Sequence, residues 1–226
     1  MPVAIFKTPI EVDGRLKELG VTRDQLLEIV HAMVAARAAC TDNDPPSAPG
    51  WSSWRFGTRR VREILRREGW LKDDSEQLSC VVNHSSGMRI AVANTDDATG
   101  IDSTDAIPQN RSKKGAATDR AVDGTQQSLF GPEPRKRDEK VVLFVPRTRH
   151  SASYVTFYIC VFNEGDIVRA EFSCPIAVEN GYFGGFSERI ILVGPGDWPP
   201  EAKIKKPEPE SGSGSGSEFD IQVRRK

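Results

Sequence analysis

The chain has 226 residues, with 31 Lys and Arg against 32 Asp and Glu, so its net charge of −1 does not by itself predict a polyanionic partner, and binding of a nucleic acid would require a local cluster of positive charge. No apolar run approaches the ~18 residues of a membrane-spanning helix, and the start of the chain lacks the basic and apolar regions of a secretory signal. The four cysteines stand too far apart for a metal or redox motif. We therefore expect a cytoplasmic protein with reduced thiols, no membrane association and no cofactor.

The first part of the chain, residues 1–94, predicts helices followed by a hairpin. Thr22 and Gln25 form a capping-box pattern, and apolar residues then recur every three or four positions. This pattern predicts a helix from about Thr22 to Ala39. The stretch 41–50 contains prolines and turn-forming residues that end it.

A second helix is predicted from about Ser53 to Glu68, where Gly69 ends it. Two apolar runs follow within residues 78–94, LSCVVN and MRIAVAN, and the turn sequence HSSG separates them. This spacing predicts a β-hairpin. A helix followed by a two-stranded hairpin is also the order of elements in a winged-helix domain, which binds DNA.

The second predicted helix carries a row of arginines on one face, because their spacings of four, three and four residues match the helical repeat. They are Arg55, Arg59, Arg62 and Arg66. From Arg55 to Lys72, seven basic residues face two acids, a net charge of +5. Guanidinium groups bind phosphate oxygens well, so this face predicts contact with DNA. The alternative is an ordinary solvent-facing side of an amphipathic helix.

Residues 95–140 change in character, because they are polar, rich in Asp, Gly, Thr and Pro, and without a sustained apolar period. So long a stretch without regular structure is unusual inside a compact domain. We predict a flexible loop with a binding role, or a disordered segment.

Within this loop, the residues Gln126-Gln127-Ser128-Leu129-Phe130 resemble the pentapeptide with which many bacterial replication and repair proteins bind the DNA sliding clamp. That pattern is Gln, any residue (often Leu), Ser or Asp, Leu and Phe, so all four constrained positions match. The resemblance implies that Leu129 and Phe130 enter an apolar pocket of the clamp. It also implies hydrogen bonds from Gln126 at the rim and a turn fixed by Ser128. Alternatively, Leu129 and Phe130 anchor the loop to the protein's own sheet.

Residues 141–198 predict strands, namely 141–145, 154–162, 167–174 and 188–193. The run at 167–174 alternates apolar and polar residues, which predicts a strand with one buried and one exposed face. With the hairpin, these runs indicate an α+β fold. Its sheet would have five or six mostly antiparallel strands, with the helices on one face.

The sequence contains no phosphate-binding loop, nucleophile elbow or zinc-protease motif. Three acids offer an alternative, since Asp96 and Asp97 follow a strand and Glu171 lies on a later one. Such carboxylates can bind a metal ion, as in nucleases. The alternative function is therefore a metal-dependent nuclease or phage-defence effector.

The tail, residues 199–226, is rich in Pro, Glu and Lys and contains a Ser/Gly run, so we predict disorder there. Near its end, Phe219, Ile221 and Val223 alternate with polar residues, a pattern that can add as a strand to an exposed sheet edge. A tail without any binding role is the alternative.

Together, these patterns predict a replication, repair or mobile-element accessory protein that docks on the sliding clamp and contacts DNA. A protein-only adaptor that binds no DNA is a further alternative. The predicted organisation is a helical region plus hairpin over 1–94, a loop with a docking motif over 95–140, further strands over 141–198, and a tail over 199–226.

Overall fold

A computed structural model describes residues 3–130 and 154–198, which form an α+β fold of seven strands and four α-helices. The strands are β1 (Ala4–Phe6), β2 (Leu71–Asp73), β3 (Cys80–Asn83), β4 (Met88–Asn94), β5 (Val155–Glu164), β6 (Ile167–Glu179) and β7 (Tyr182–Val193). The helices are α1 (Pro9–Glu18), α2 (Arg23–Ala38), α3 (Ala48–Leu65) and α4 (Ala116–Phe130). None of these helices has the length and apolar character needed to cross a bilayer. The strand predicted at 141–145 and the tail residues Phe219, Ile221 and Val223 lie outside the described residues.

All seven strands belong to one sheet, in the order β1-β7-β6-β5-β4-β3-β2. The sheet is mixed, because β1 pairs parallel to β7 and β4 pairs parallel to β5, whereas the other neighbours are antiparallel. The described sheet thus has seven strands rather than the predicted five or six, and it is mostly antiparallel, as predicted, except at these two parallel pairings. Strands β1 and β2 have three residues each, too few for an alternating pattern to be visible in the sequence.

Helices α1, α2 and α3 pack on one face of the sheet and form the larger core with it. The predicted first helix is confirmed as α2, and the Thr22–Gln25 capping box is present. Helix α3 begins at Ala48, five residues before the predicted start, and continues through a short 3-10 turn to Gly69. Its first turn contains a proline, which a helix tolerates there because those N–H groups have no partner within the helix.

The opposite face of the sheet is covered by α4 and by the segment 95–115. In this layer the backbone N–H of Thr156 donates to the Thr125 hydroxyl at 2.8 Å, and Val122 is fully buried. Neighbouring parallel strands need a long crossover connection, and this segment with α4 lies in the connection from β4 to β5. The predicted packing of helices on one face therefore holds for the N-terminal helices but not for α4. The stretch 95–140 was predicted to be a flexible loop, but its described part, 95–130, contains a helix and packs on the sheet.

The alternation predicted for 167–174 is present in β6, where Val168 and Phe172 point into the larger core. The polar side of this strand is not exposed, however. Glu171 and Ser173 are fully buried, because the segment 95–115 lies over them. The prediction of a half-exposed strand was wrong because the covering segment is distant in sequence.

The predicted hairpin is confirmed as β3 and β4, and the turn at 84–87 joins them. It is an internal part of the sheet rather than a separate wing, because β4 pairs along its length with β5. The four thiols are free, and three of them, Cys80, Cys160 and Cys174, are buried. Burial raises the pKa of Cys80 and of Cys174 to about 12, so both remain protonated thiols at neutral pH.

Candidate nucleic-acid interface

Helix α3 buries Gly57, Val61 and Leu65 against the rest of the protein and leaves its arginine face outward. The close approach to α2 depends on Gly57, since a Cβ there would lie 2.5 Å from the side chain of Met33. The helix is therefore held firmly, and the positions of its arginines are fixed by the core beneath them.

Two of the four predicted arginines are paired with carboxylates. The Arg59 Nε donates to Glu63 at 2.7 Å, and Arg62 pairs with Asp74. Hydrogen bonds from Lys72 and Arg62 lower the pKa of the Asp74 carboxyl, so this acid stays charged at neutral pH. Much of the predicted charge at these two positions is thus neutralised within the protein.

The other two arginines lie near opposite ends of the helix. The Arg55 guanidinium lies 5.2 Å from the ring centroids of Trp51 and Phe56, and Arg66 is exposed in the 3-10 turn. Neither one forms an ion pair with any residue that the structure describes. The positive charge of this face that remains available to a ligand is therefore concentrated at Arg55 and Arg66.

Beside the start of α3 lies a pocket of about 440 Å³. Its walls come from the α2–α3 connection, the first turns of α3, the end of β4 and the segment between β4 and α4. The lining residues are Pro46, Ser47, Gly50, Trp51, Trp54, Asn94, Arg111, Ser112, Lys113 and Lys114. The Asn94 carboxamide donates to the Gly50 carbonyl at 2.8 Å, and the Arg111 N–H donates to the Asn94 carbonyl at 2.9 Å. These bonds join the two sides of the pocket through the end of β4.

The pocket brings two basic residues, Arg111 and Lys113, beside an exposed aromatic ring. Trp51 is 56% exposed, whereas Trp54 is partly buried and packs against the core. Arg111 and Lys113 line the pocket, whereas the Lys114 ammonium lies 5.7 Å from the ring centroid of Tyr158, a residue of the smaller core on the opposite face of the sheet. No pattern in the sequence predicted this group. The signal was the run RSKK at 111–114, placed by the fold opposite the tryptophan.

The three acids considered as metal ligands are not brought together as a site. All hydrogen-bonding positions of the Glu171 carboxylate are occupied by Arg189, Ser173 and the Gly100 N–H. Asp96 accepts backbone bonds within its own loop, and Asp97 is exposed. Among the described residues, no three His, Cys, Asp or Glu side chains are arranged to hold a metal ion.

The clamp-like pentapeptide, Gln126–Phe130, forms the last five residues of α4. Earlier in this helix, the Ala121 carbonyl accepts from the Thr156 hydroxyl, and the Thr125 hydroxyl accepts from the Thr156 N–H. No known protein family, curated protein or solved structure matches the chain. The candidate sites therefore depend on the motif and the side-chain arrangement alone.

Proposed function

We propose that this protein is an accessory factor that docks on the bacterial DNA sliding clamp through Gln126–Phe130 and contacts DNA through α3. The observation that carries the proposal is the match of Gln126, Ser128, Leu129 and Phe130 to the constrained positions of the clamp-binding pentapeptide.

Docking requires a change at the end of α4. Consecutive helical residues project about 100° apart, so Leu129 and Phe130 enter one pocket more easily from a non-helical peptide. The last turn of a helix is the part that opens most readily, and residues up to Thr125 can stay in place when it opens. The ordering of a short peptide on binding favours a reversible complex.

The variant Leu129→Ala with Phe130→Ala is expected to weaken clamp binding by roughly a hundredfold or more. Burial of each side chain contributes about 1.5–3 kcal/mol, and every 1.4 kcal/mol is a factor of ten. The measurement is isothermal titration calorimetry of the full chain with a purified bacterial sliding clamp.

Position 127 provides the matched control. Gln127 occupies the unconstrained position of the pattern, so Gln127→Ala should leave the dissociation constant nearly unchanged. Gln127→Leu introduces the residue that is common in the family and should tighten binding. If the wild-type chain fails to bind, or the double variant binds as tightly as wild type, clamp docking is wrong.

The DNA contact is assigned to Arg55 and Arg66, the two of the four predicted arginines that have no carboxylate partner in the described structure. Loss of both in Arg55→Ala with Arg66→Ala should weaken duplex DNA binding and reduce the slope of log K against log salt by about two, about one per phosphate contact. Arg59→Ala should have a smaller effect, because Glu63 already pairs with Arg59.

Fluorescence anisotropy with a labelled duplex at several salt concentrations measures both quantities. A wild-type chain that binds clamp but no duplex at low salt would support the protein-only adaptor instead. Because clamp affinity is measured separately, failure of the DNA contact and failure of the docking motif are distinguishable.

A further inference from the structure

The outer face of α3 carries aromatic side chains as well as arginines. Six large apolar side chains are exposed in the described part of the chain, and the two aromatic ones, Trp51 and Phe56, both belong to this helix. The Arg55 guanidinium lies 5.2 Å from each of their ring centroids and joins them in one patch. Exposed apolar side chains that stand singly are ordinary, whereas neighbouring ones mark an interaction surface.

Trp51 lies on the same side of the helix as the arginine row. Successive residues of an α-helix project about 100° apart, so Trp51, Arg55, Arg59 and Arg62 fall within a sector of about 80°. Phe56 projects about 60° from the edge of this sector. A ligand that contacts the arginines is therefore placed to contact the aromatic rings as well.

The charge of this face favours a polyanion. Helix α3 contains four arginines and one acid, Glu63, which pairs with two of them. Arg55 is exposed and has no carboxylate partner in the described structure. On the other wall of the pocket beside Trp51, the exposed Lys113 also lacks a described carboxylate partner. The ligand that fits this face combines negative charge with flat aromatic groups.

Single-stranded DNA has both properties. Its phosphates are negative, and its unpaired bases stack on aromatic side chains, which is how proteins commonly bind a single strand. In a duplex the faces of each base are covered by the neighbouring base pairs, and a base must leave the stack before a protein ring can cover it. The arginines can contact phosphates in either form of DNA, whereas the rings add affinity only for unpaired bases.

We propose that the DNA bound by α3 is single-stranded, with unpaired bases stacked on Trp51 and Phe56 and a phosphate between them bound by Arg55. This inference rests on the proposed contact of α3 with DNA and specifies the substrate class of that contact. Duplex DNA binds the same arginines, but more weakly, because it gains nothing from the two rings.

Fluorescence anisotropy with a labelled oligothymidylate and with a labelled duplex of equal length tests the inference. The single strand should bind more tightly than the duplex at physiological ionic strength. Trp51→Ala and Phe56→Ala should each weaken binding of the single strand about tenfold and leave duplex binding nearly unchanged. Trp51→Phe should retain most of the affinity, because a phenyl ring still stacks on a base.

Two further variants separate stacking from other effects. Ile10→Ala is the matched control, since Ile10 is also an exposed apolar residue but lies on α1, and this variant should change neither affinity. Arg55→Ala should weaken the binding of both forms of DNA, because it removes a phosphate contact. The ratio of single-strand to duplex affinity should therefore fall further in the two aromatic variants than in Arg55→Ala.

The outcomes distinguish this inference from the proposed function. A single strand that binds no more tightly than the duplex overturns the inference, and so does wild-type single-strand affinity in both aromatic variants. Equal losses for the two forms of DNA in these variants also overturn it, because the rings would then support the helix rather than stack on bases. Each of these results leaves the arginine contact with duplex DNA in place. If the wild-type chain binds neither form at low salt, the inference and the DNA contact of α3 are both wrong.

Discussion

Arg189→Met is expected to lower the free energy of unfolding by about 3–5 kcal/mol, the range for removal of one partner of a buried ion pair. Arg189 lies under the segment that follows β4, and its side chain is 2% exposed. Its Nε and Nη2 donate to the Glu171 carboxylate at 3.0 and 2.6 Å. The remaining N–H groups donate to three backbone carbonyls, those of Ala98, Ser103 and Ala106.

All five N–H donors of this guanidinium thus have acceptors. The variant would leave three partly buried carbonyls and a buried carboxylate without their partner, and each loss is unfavourable. Glu171→Gln should also be strongly destabilising, since it leaves the buried guanidinium charge uncompensated. The double variant should lose less stability than the sum of the single variants, because neither charge is then left alone.

Urea unfolding followed by circular dichroism measures these changes. Arg59→Met is the matched control, because its pair with Glu63 lies on the surface and is expected to contribute about 0.5 kcal/mol or less. If Arg189→Met costs no more than this control, the buried pair does not hold the segment on the sheet.

The sequence was most informative where the signal is local. Helix α2, the hairpin of β3 and β4, and the apolar side of β6 follow from capping and periodicity within a few residues. The segment 95–115 has no such signal, because polar and backbone groups hold it. Its partners, Glu171 and Arg189, lie about 70 to 90 residues further along the chain.

The same separation along the chain explains why the sequence did not predict the pocket beside Trp51. The arginines of α3 were visible as a repeat, but their carboxylate partners were not, since Asp74 lies on a different element from Arg62. Conversely, the run at 111–114 has no helical repeat. It becomes part of a site only because the fold places it beside Trp51.

One buried side chain links the scaffold to this pocket. The Asn110 carboxamide donates to the carbonyls of Ser112 and Gly181 at 2.7 and 2.8 Å and accepts from the Phe183 N–H at 2.9 Å. It therefore fixes the start of the basic run to the turn between β6 and β7. The buried Glu171–Arg189 pair, which lies under residues 95–106, and the Asn110 carboxamide together determine where the run 111–114 lies.

Gly100→Ala is the second substitution expected to have a large effect, with a loss of about 2–5 kcal/mol. Gly100 adopts a φ of +71°, a left-handed conformation that costs other residues about 1–2 kcal/mol. A Cβ would also lie 2.6 Å from the Val193 carbonyl oxygen and 3.0 Å from the Arg169 Cβ. Relief of this overlap would move the N–H that donates to Glu171, at a further cost of about 1–3 kcal/mol.

Gly69→Ala separates the two contributions. Gly69 ends the helical region after α3 with a φ of +85°, and a Cβ there would meet nothing within 4 Å. Its substitution should therefore show the conformational cost alone, about 1–2 kcal/mol in urea unfolding. If Gly100→Ala loses no more stability than Gly69→Ala, the segment 95–115 shifts to accommodate the added Cβ at no further cost. A larger loss would mean that the segment is tightly packed on the sheet, as a support for the run 111–114 requires.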